Sequence, residues 1–119
     1  MNENMAMPVE LREITAETVR TICGLEVAEE QRENVAPVAI SIAQAHFEPR
    51  ATFRAIYAGD EPVGFMLWRD DDKPNTAYLW RFMVDRRHQG KGYGRDALEQ
   101  VFAMLKAQGV TKLSASVVR

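Results

Sequence analysis

The chain has a single cysteine, Cys23, so it can form no internal disulfide, and a reducing compartment suits it. Set between Ile22 and Gly24, that cysteine reads as a small buried residue and has no neighbour that would activate it as a nucleophile. Long apolar runs are lacking too. No stretch of 18 apolar residues occurs, so there is no candidate helical membrane span. The opening MNENMAMP has neither the basic region nor the apolar centre of a secretion signal. Residues 1–8 therefore read as a flexible tail, residues 9–119 as one domain, and the cytoplasm as the expected location. An excess of either charge is also missing. Fifteen Lys and Arg against seventeen Asp and Glu leave a net charge of -2, and no basic field to grip a nucleic-acid backbone. The two histidines, His46 and His88, lie far apart and no metal-ligand spacing surrounds them, so no metal is expected.

What is present is enough apolar residue, 46% of the 119, to build one core. Val9–Ile14 alternates apolar and polar residues as a short strand does. Thr15, helped by Thr18, suits the cap of a helix over 16–22. Asn34–Phe47 reads as a second helix with Val38, Ile42 and Ala45 on one side and Pro37 in its first turn. Phe53–Ala58, the turn Gly59-Asp60-Glu61 and Pro62–Arg69 predict a hairpin. Asp70–Asn75 is a polar turn. Thr76–Val84 is the most continuously apolar strand and is expected at the centre, covered on both faces. Arg81 inside it needs an acidic partner or solvent. A helix over 94–108 carries the stripe Ala97, Leu98, Val101, Phe102 and Leu105. Lys112–Val118 closes the order β-α-α-β-β-β-α-β, with 112–118 parallel to 76–84 through a right-handed crossover.

The most informative stretch joins the central strand to the last helix: Arg86-Arg87-His88-Gln89-Gly90-Lys91-Gly92-Tyr93-Gly94. Three glycines lie just before a helix whose first amides and positive dipole end attract anions, with Arg86, Arg87 and Lys91 adding charge. The spacing fits neither the dinucleotide fingerprint nor a P-loop. An ordinary glycine turn without ligand is the plain alternative. Farther upstream Glu26, Glu29, Glu30 and Glu33 form an acidic group suited to a small cationic partner, or to nothing more than a solvated face.

Gln89-Gly90-Lys91-Gly92-Tyr93-Gly94 after AYLWRFMV resembles the pyrophosphate loop of the GNAT superfamily of acyl-CoA-dependent N-acetyltransferases, Q/R-x-x-G-x-G/A, with Gln89, Gly92 and Gly94 at its three positions. YLWRFMVDRRHQGKGYG is most similar to bacterial members of the diamine or spermine/spermidine type. The resemblance implies an α/β (α+β) fold with a mixed sheet whose two parallel strands splay around a thioester, and acetyl-CoA as cosubstrate. It also implies a β-bulge in strand 76–84. The Phe82 N–H would polarise the thioester carbonyl, and Val84 would pair with the pantetheine arm. Arg87, Gln89, Gly90, Lys91, Gly92, Tyr93 and Gly94 would surround the pyrophosphate. Glu26, Glu29 and Glu30 become candidates for attracting a primary amine such as spermidine or spermine and for relaying its proton through water. Tyr78 and Trp80 become candidates for walling the site.

The resemblance also implies a C-terminal helix and two last strands, and a tyrosine acid among them, that do not follow Arg119. The expectations on that count are a C-terminally incomplete domain, weak turnover alone, and a homodimer or domain-swapped oligomer through strand 112–118. A non-catalytic acyl-CoA-binding module and an inactive fragment are the competing readings.

Overall fold

A computed structural model describes residues 8–29 and 36–115. Its order is β1 (Val9–Arg12), α1 (Val19–Cys23), α2 (Val38–His46), β2 (Ala51–Ala58), β3 (Glu61–Asp70), β4 (Thr76–Val84), a 3₁₀ turn (Arg86–His88), α3 (Tyr93–Ala107) and β5 (Lys112–Ala115). The sheet runs β1-β2-β3-β4-β5, antiparallel up to β4, with β5 parallel to β4. The fold is thus the mixed β-α-α-β-β-β-α-β arrangement that the sequence implies.

Two apolar layers cover the sheet. On one face Ile56, Val63, Met66, Trp68 and Ala77 pack against Ala97, Val101 and Leu105 of α3. On the other Ala55, Tyr57, Phe65, Leu67 and Met83 pack against Ile22, Leu25, Val27, Val38 and Ala45. β4 is an interior strand with core packed on both faces, which suits its apolar run without alternation. It is not the central strand expected: it stands fourth of five, and the middle, most buried strand is β3. Among the described residues no helix is long and apolar enough to cross a membrane, and no His, Cys, Asp and Glu cluster could hold a metal.

Several boundaries move for local reasons. β1 ends at Arg12, its last pairing with β2, and the Thr15 carbonyl is taken by the N–H groups of Thr18 and Val19. α1 consequently starts at Val19. Thr18 holds the cap position, yet its hydroxyl accepts the Thr15 N–H at 2.9 Å rather than a helix amide. Pro37 precedes α2 as its cap instead of entering the first turn. Phe102 lies on the edge of the α3 stripe, 39% exposed beneath Lys106, while Met104 packs on the core. Cys23 is half-buried, not buried. Glu30, Glu33, Asn34, the tail 1–7 and the expected strand end 116–118 lie outside the described residues.

One clamp ties the first strand to the last helix. The Val9 N–H donates to Asp96 Oδ2 at 2.7 Å, and the Gln100 side-chain amide donates to the Val9 carbonyl. α3 is thereby fixed to β1 as well as packed on the sheet.

Candidate functional site

A break in the β3–β4 ladder shapes the site. Leu67 pairs with Arg81 and Trp68 with Leu79, so Trp80 is an extra residue on β4. Such a bulge shifts the alternation of faces. Ala77 and Leu79 face α3; an unbroken strand would add Arg81 and Met83 to that face. Instead Phe82 packs on the α3 side, and Trp80 and Met83 pack on the α1–α2 side. The bulge expected in this strand is therefore present, at Trp80.

The backbone of β4 follows the same shift. The Asp85 N–H donates to the Val63 carbonyl at 2.7 Å, so Asp85 faces β3. By antiparallel alternation Met83 does as well, while the N–H groups of Phe82 and Val84 point to the opposite edge. On that edge the pairing with β5 ends at Leu79 and Ala115 among the described residues. The Val84 carbonyl there accepts Gln89 Nε2 at 3.0 Å.

This edge opens on a cavity of about 370 Å³ lined by Val27, Phe82, Met83, Val84, His88, Gln89, Gly90, Gly92, Tyr93, Gly94 and Arg95. Gly92 caps α3 at φ 83° and offers no side-chain partner to the helix. The first helical bond runs from the Asp96 N–H to the Gly92 carbonyl, so the amides of Tyr93, Gly94 and Arg95 lie ahead of the helical pattern. A Cβ added at Gly90 or Gly92 would meet nothing within 4 Å, although both sit at positive φ. Gly94 serves a different purpose: its Cβ would stand 3.0 Å from Phe82 Cζ, so glycine lets α3 approach β4. Open space, backbone amides and the positive end of a 15-residue helix suit a phosphate-bearing group.

A second cavity, about 360 Å³, adjoins the first and shares Val27 and Met83 with it; Cys23, Leu25, Glu26, Ala36, Pro37 and Val38 complete its wall. Glu26 is its one acidic lining residue among those described. Glu29 is exposed and lines neither cavity.

Asp85, 2% exposed, lines neither cavity; it follows Val84 of the first wall and is hydrogen-bonded to Glu26 of the second. Its carboxylate accepts the Glu26 N–H at 2.9 Å, the Arg87 N–H at 3.3 Å and Arg87 Nε at 2.8 Å. The Arg86 N–H donates back to the Glu26 carbonyl at 2.7 Å. Burial is the largest influence on this carboxyl and pushes its pKa up. The Glu26 hydrogen bond and the Arg87 hydrogen bonds and charge together outweigh it and hold the pKa below the ordinary aspartate value.

Other expected side chains are placed elsewhere. Arg87 is committed to Asp85, and neither it nor Lys91 lines the first cavity; Arg95 supplies the cationic lining instead. Tyr78 lies opposite Ser114 of β5 with Arg69 over its ring, outside both cavities. Trp80 joins the α2-side core, and Arg81 reaches the Trp80 carbonyl and Gln44 Oε1, each at 3.0 Å, rather than an acid. Asp85, Arg95 and His88 are site residues that motif reading passes over. Their only sequence signals are an aspartate ending an apolar strand, a cation in the first helical turn and an aromatic ring before the glutamine.

The profile of the acetyltransferase (GNAT) family matches residues 9–119. The spermine/spermidine N(1)-acetyltransferase of Bacillus subtilis is 26% identical over 83% of this chain and 69% of its own length. Among solved structures, an acetyltransferase from Thermus thermophilus superposes with a TM-score of 0.68 at 24% identity, covering 94% of this chain and 77% of that one. The PaiA N-acetyltransferase of Thermoplasma acidophilum, solved in complex with coenzyme A, superposes with a TM-score of 0.70 at 17% identity, covering 95% of this chain and 81% of that one.

Proposed function

The chain belongs to the acetyltransferase (GNAT) family, and from that membership we propose that it transfers an acetyl group from acetyl-CoA to a primary amine of a small molecule, a polyamine such as spermidine or spermine. The observation that carries this reading is the first cavity, where an open glycine turn, three first-turn amides and two outward amides of β4 share one wall. Bound acetyl-CoA supplies an activated acyl group as a thioester.

The chain's own part is binding and polarisation. The amides of Tyr93, Gly94 and Arg95, with the Arg95 charge, hold the diphosphate, and Gly90 and Gly92 leave it room. Gln89 braces the turn against Val84, whose N–H is left to hold the pantetheine arm. Arg87 acts on the turn through Asp85, and Lys91 adds long-range attraction. The Phe82 N–H is a donor aimed at the charge that develops on a carbonyl oxygen beside β4.

The second cavity is the acceptor side. Its apolar wall suits the methylene run of a polyamine, and Glu26 at that wall suits an ammonium group. The attacking amine must be neutral, and water between it and Glu26 gives its proton a route out. Glu29 contributes to the field outside, where it attracts cations. The likeness to a spermine/spermidine acetyltransferase supports the same substrate class.

Incubation with acetyl-CoA and a mixed pool of polyamines and peptide amines, read by mass spectrometry, is expected to yield monoacetylated polyamine. Acetylated peptide alone would refute the substrate class. Glu26→Lys is expected to raise the KM for spermidine about tenfold, equivalent to about 1.4 kcal/mol, with CoA affinity nearly unchanged. Equal kinetics for spermidine and a neutral amine would count against the polyamine reading.

Pairing of a second copy along β5 is part of the same proposal. β5 is an edge strand among the described residues, and a free edge is a template for another strand. Light scattering is expected to give a dimer; a stable monomer at high concentration would remove this element.

A further inference from the structure

We propose that Asp85 is a positioning residue that couples the two cavities, so that filling the phosphate turn tightens the acceptor wall. This rests on the functional reading above. The carboxylate is the meeting point of two segments 59 residues apart. From one side it receives the N–H and Nε of Arg87, in the 3₁₀ turn that leads into the phosphate turn. From the other it receives the N–H of Glu26, in the segment that walls the second cavity. The Arg86 N–H to Glu26 carbonyl bond closes the link in the opposite direction. Val27, the next residue, lines both cavities.

A ligand that orders residues 89–95 therefore also orders Arg87 on Asp85, and Asp85 holds Glu26 and its neighbours in place. An acceptor that orders residues 25–27 does the reverse, because coupling between sites is reciprocal. Val27 and Met83 form an apolar wall common to the two cavities, and the buried carboxylate shared by two segments is the hydrogen-bonded element that carries the effect.

Cys23, the chain's one cysteine, lines the second cavity and reports on that wall directly. The probe ligand is ADP, which carries a diphosphate but no pantetheine arm to reach Cys23. Alkylation of Cys23 by iodoacetamide is followed by intact mass, and ADP and acetyl-CoA binding by calorimetry. Saturating ADP is expected to slow alkylation about fivefold or more in the native chain, the lower end of ordinary coupling between sites. In Asp85→Asn, saturated with ADP, the slowing is expected to vanish. Arg87→Gln, which keeps the carboxylate and removes one of its anchors, is expected to show a smaller slowing, and it decides the matter if Asp85→Asn does not fold. ADP binding with no slowing in the native chain, or the same slowing in the native chain and these variants, would overturn the coupling alone. Failure of the native chain to bind acetyl-CoA or ADP would overturn both the coupling and the reading of the first cavity.

Discussion

Replacing Gly92 by valine is expected to weaken CoA binding at least about a hundredfold while leaving the protein folded. The position is in the left-handed region, φ 83°, where an L-residue is strained by about 1–2 kcal/mol. A branched side chain there also stands in the open space before the first amides of α3. Hydrogen bonds to a charged group contribute about 1.5–3 kcal/mol each, and loss of roughly 2.7 kcal/mol is a hundredfold in affinity. Apart from its neighbours in the chain nothing lies within 4 Å of the added Cβ, so the core is untouched and the cost to stability is limited to the backbone strain. Gly94→Ala makes the contrast. Its Cβ presses on the Phe82 ring at 3.0 Å, so the ring must give by a few tenths of an ångström beside the proposed thioester site, and turnover is expected to fall more than affinity. Calorimetry with CoA and steady-state kinetics on both variants check this. Native-like CoA affinity in Gly92→Val would mean that the diphosphate sits elsewhere.

Asp85→Ala is expected to cost about 2–4 kcal/mol of stability, because it strips a buried acceptor from the amides of Glu26 and Arg87. For a domain of this size that is a fall of about 10 °C in Tm. Arg87 itself is two-thirds exposed and recovers its hydration, so its ion pair adds little to this figure. The pH dependence has a definite sign. The folded pKa of Asp85 lies below its unfolded value. Its contribution is therefore full above the unfolded value of about 3.9, and it is lost as pH falls through the folded value. Urea melts near pH 6 and pH 3 are expected to show a steeper acid loss in the native chain than in Asp85→Ala. Parallel acid losses in the two would mean that the carboxylate is not what holds this junction.

The elements that bury one long apolar face were legible in the sequence. β4 runs from Thr76 to Val84 as expected, because the run begins after a polar turn and ends at charged Asp85. α3 shifts by one residue at each end, and Gln89, Gly92 and Gly94 line one cavity. The bulge was not legible from pattern. AYLWRFMV is apolar on both faces except at Arg81, so a slip of one residue leaves no trace in its alternation. The role of Asp85 was hidden for another reason. Arg86 and Arg87 read as charge for an anion rather than as partners of Asp85, and only folding brings Glu26 to that carboxylate. Tyr78 and Trp80 offered packing and a site wall equally well as sequence; the strand carries Tyr78 to the β5 end, and the bulge turns Trp80 into the α2-side core. Arg87 and Lys91 fit a phosphate site by charge alone, yet direction decides, and the cation that lines the cavity is Arg95.

The clamp between Val9 and α3 has a consequence during biosynthesis. Val9 leaves the ribosome 87 residues before Asp96, a delay of roughly 4–17 s at ordinary elongation rates of about 5–20 residues per second. Through that interval the first strand has no helix to hold it, and the sheet face that includes Ile56, Met66 and Trp68 has no cover from Ala97, Val101 and Leu105. The nascent protein therefore carries an uncovered apolar sheet face until Leu105 has been made, and this is the period in which a chaperone at the exit tunnel would have most to protect.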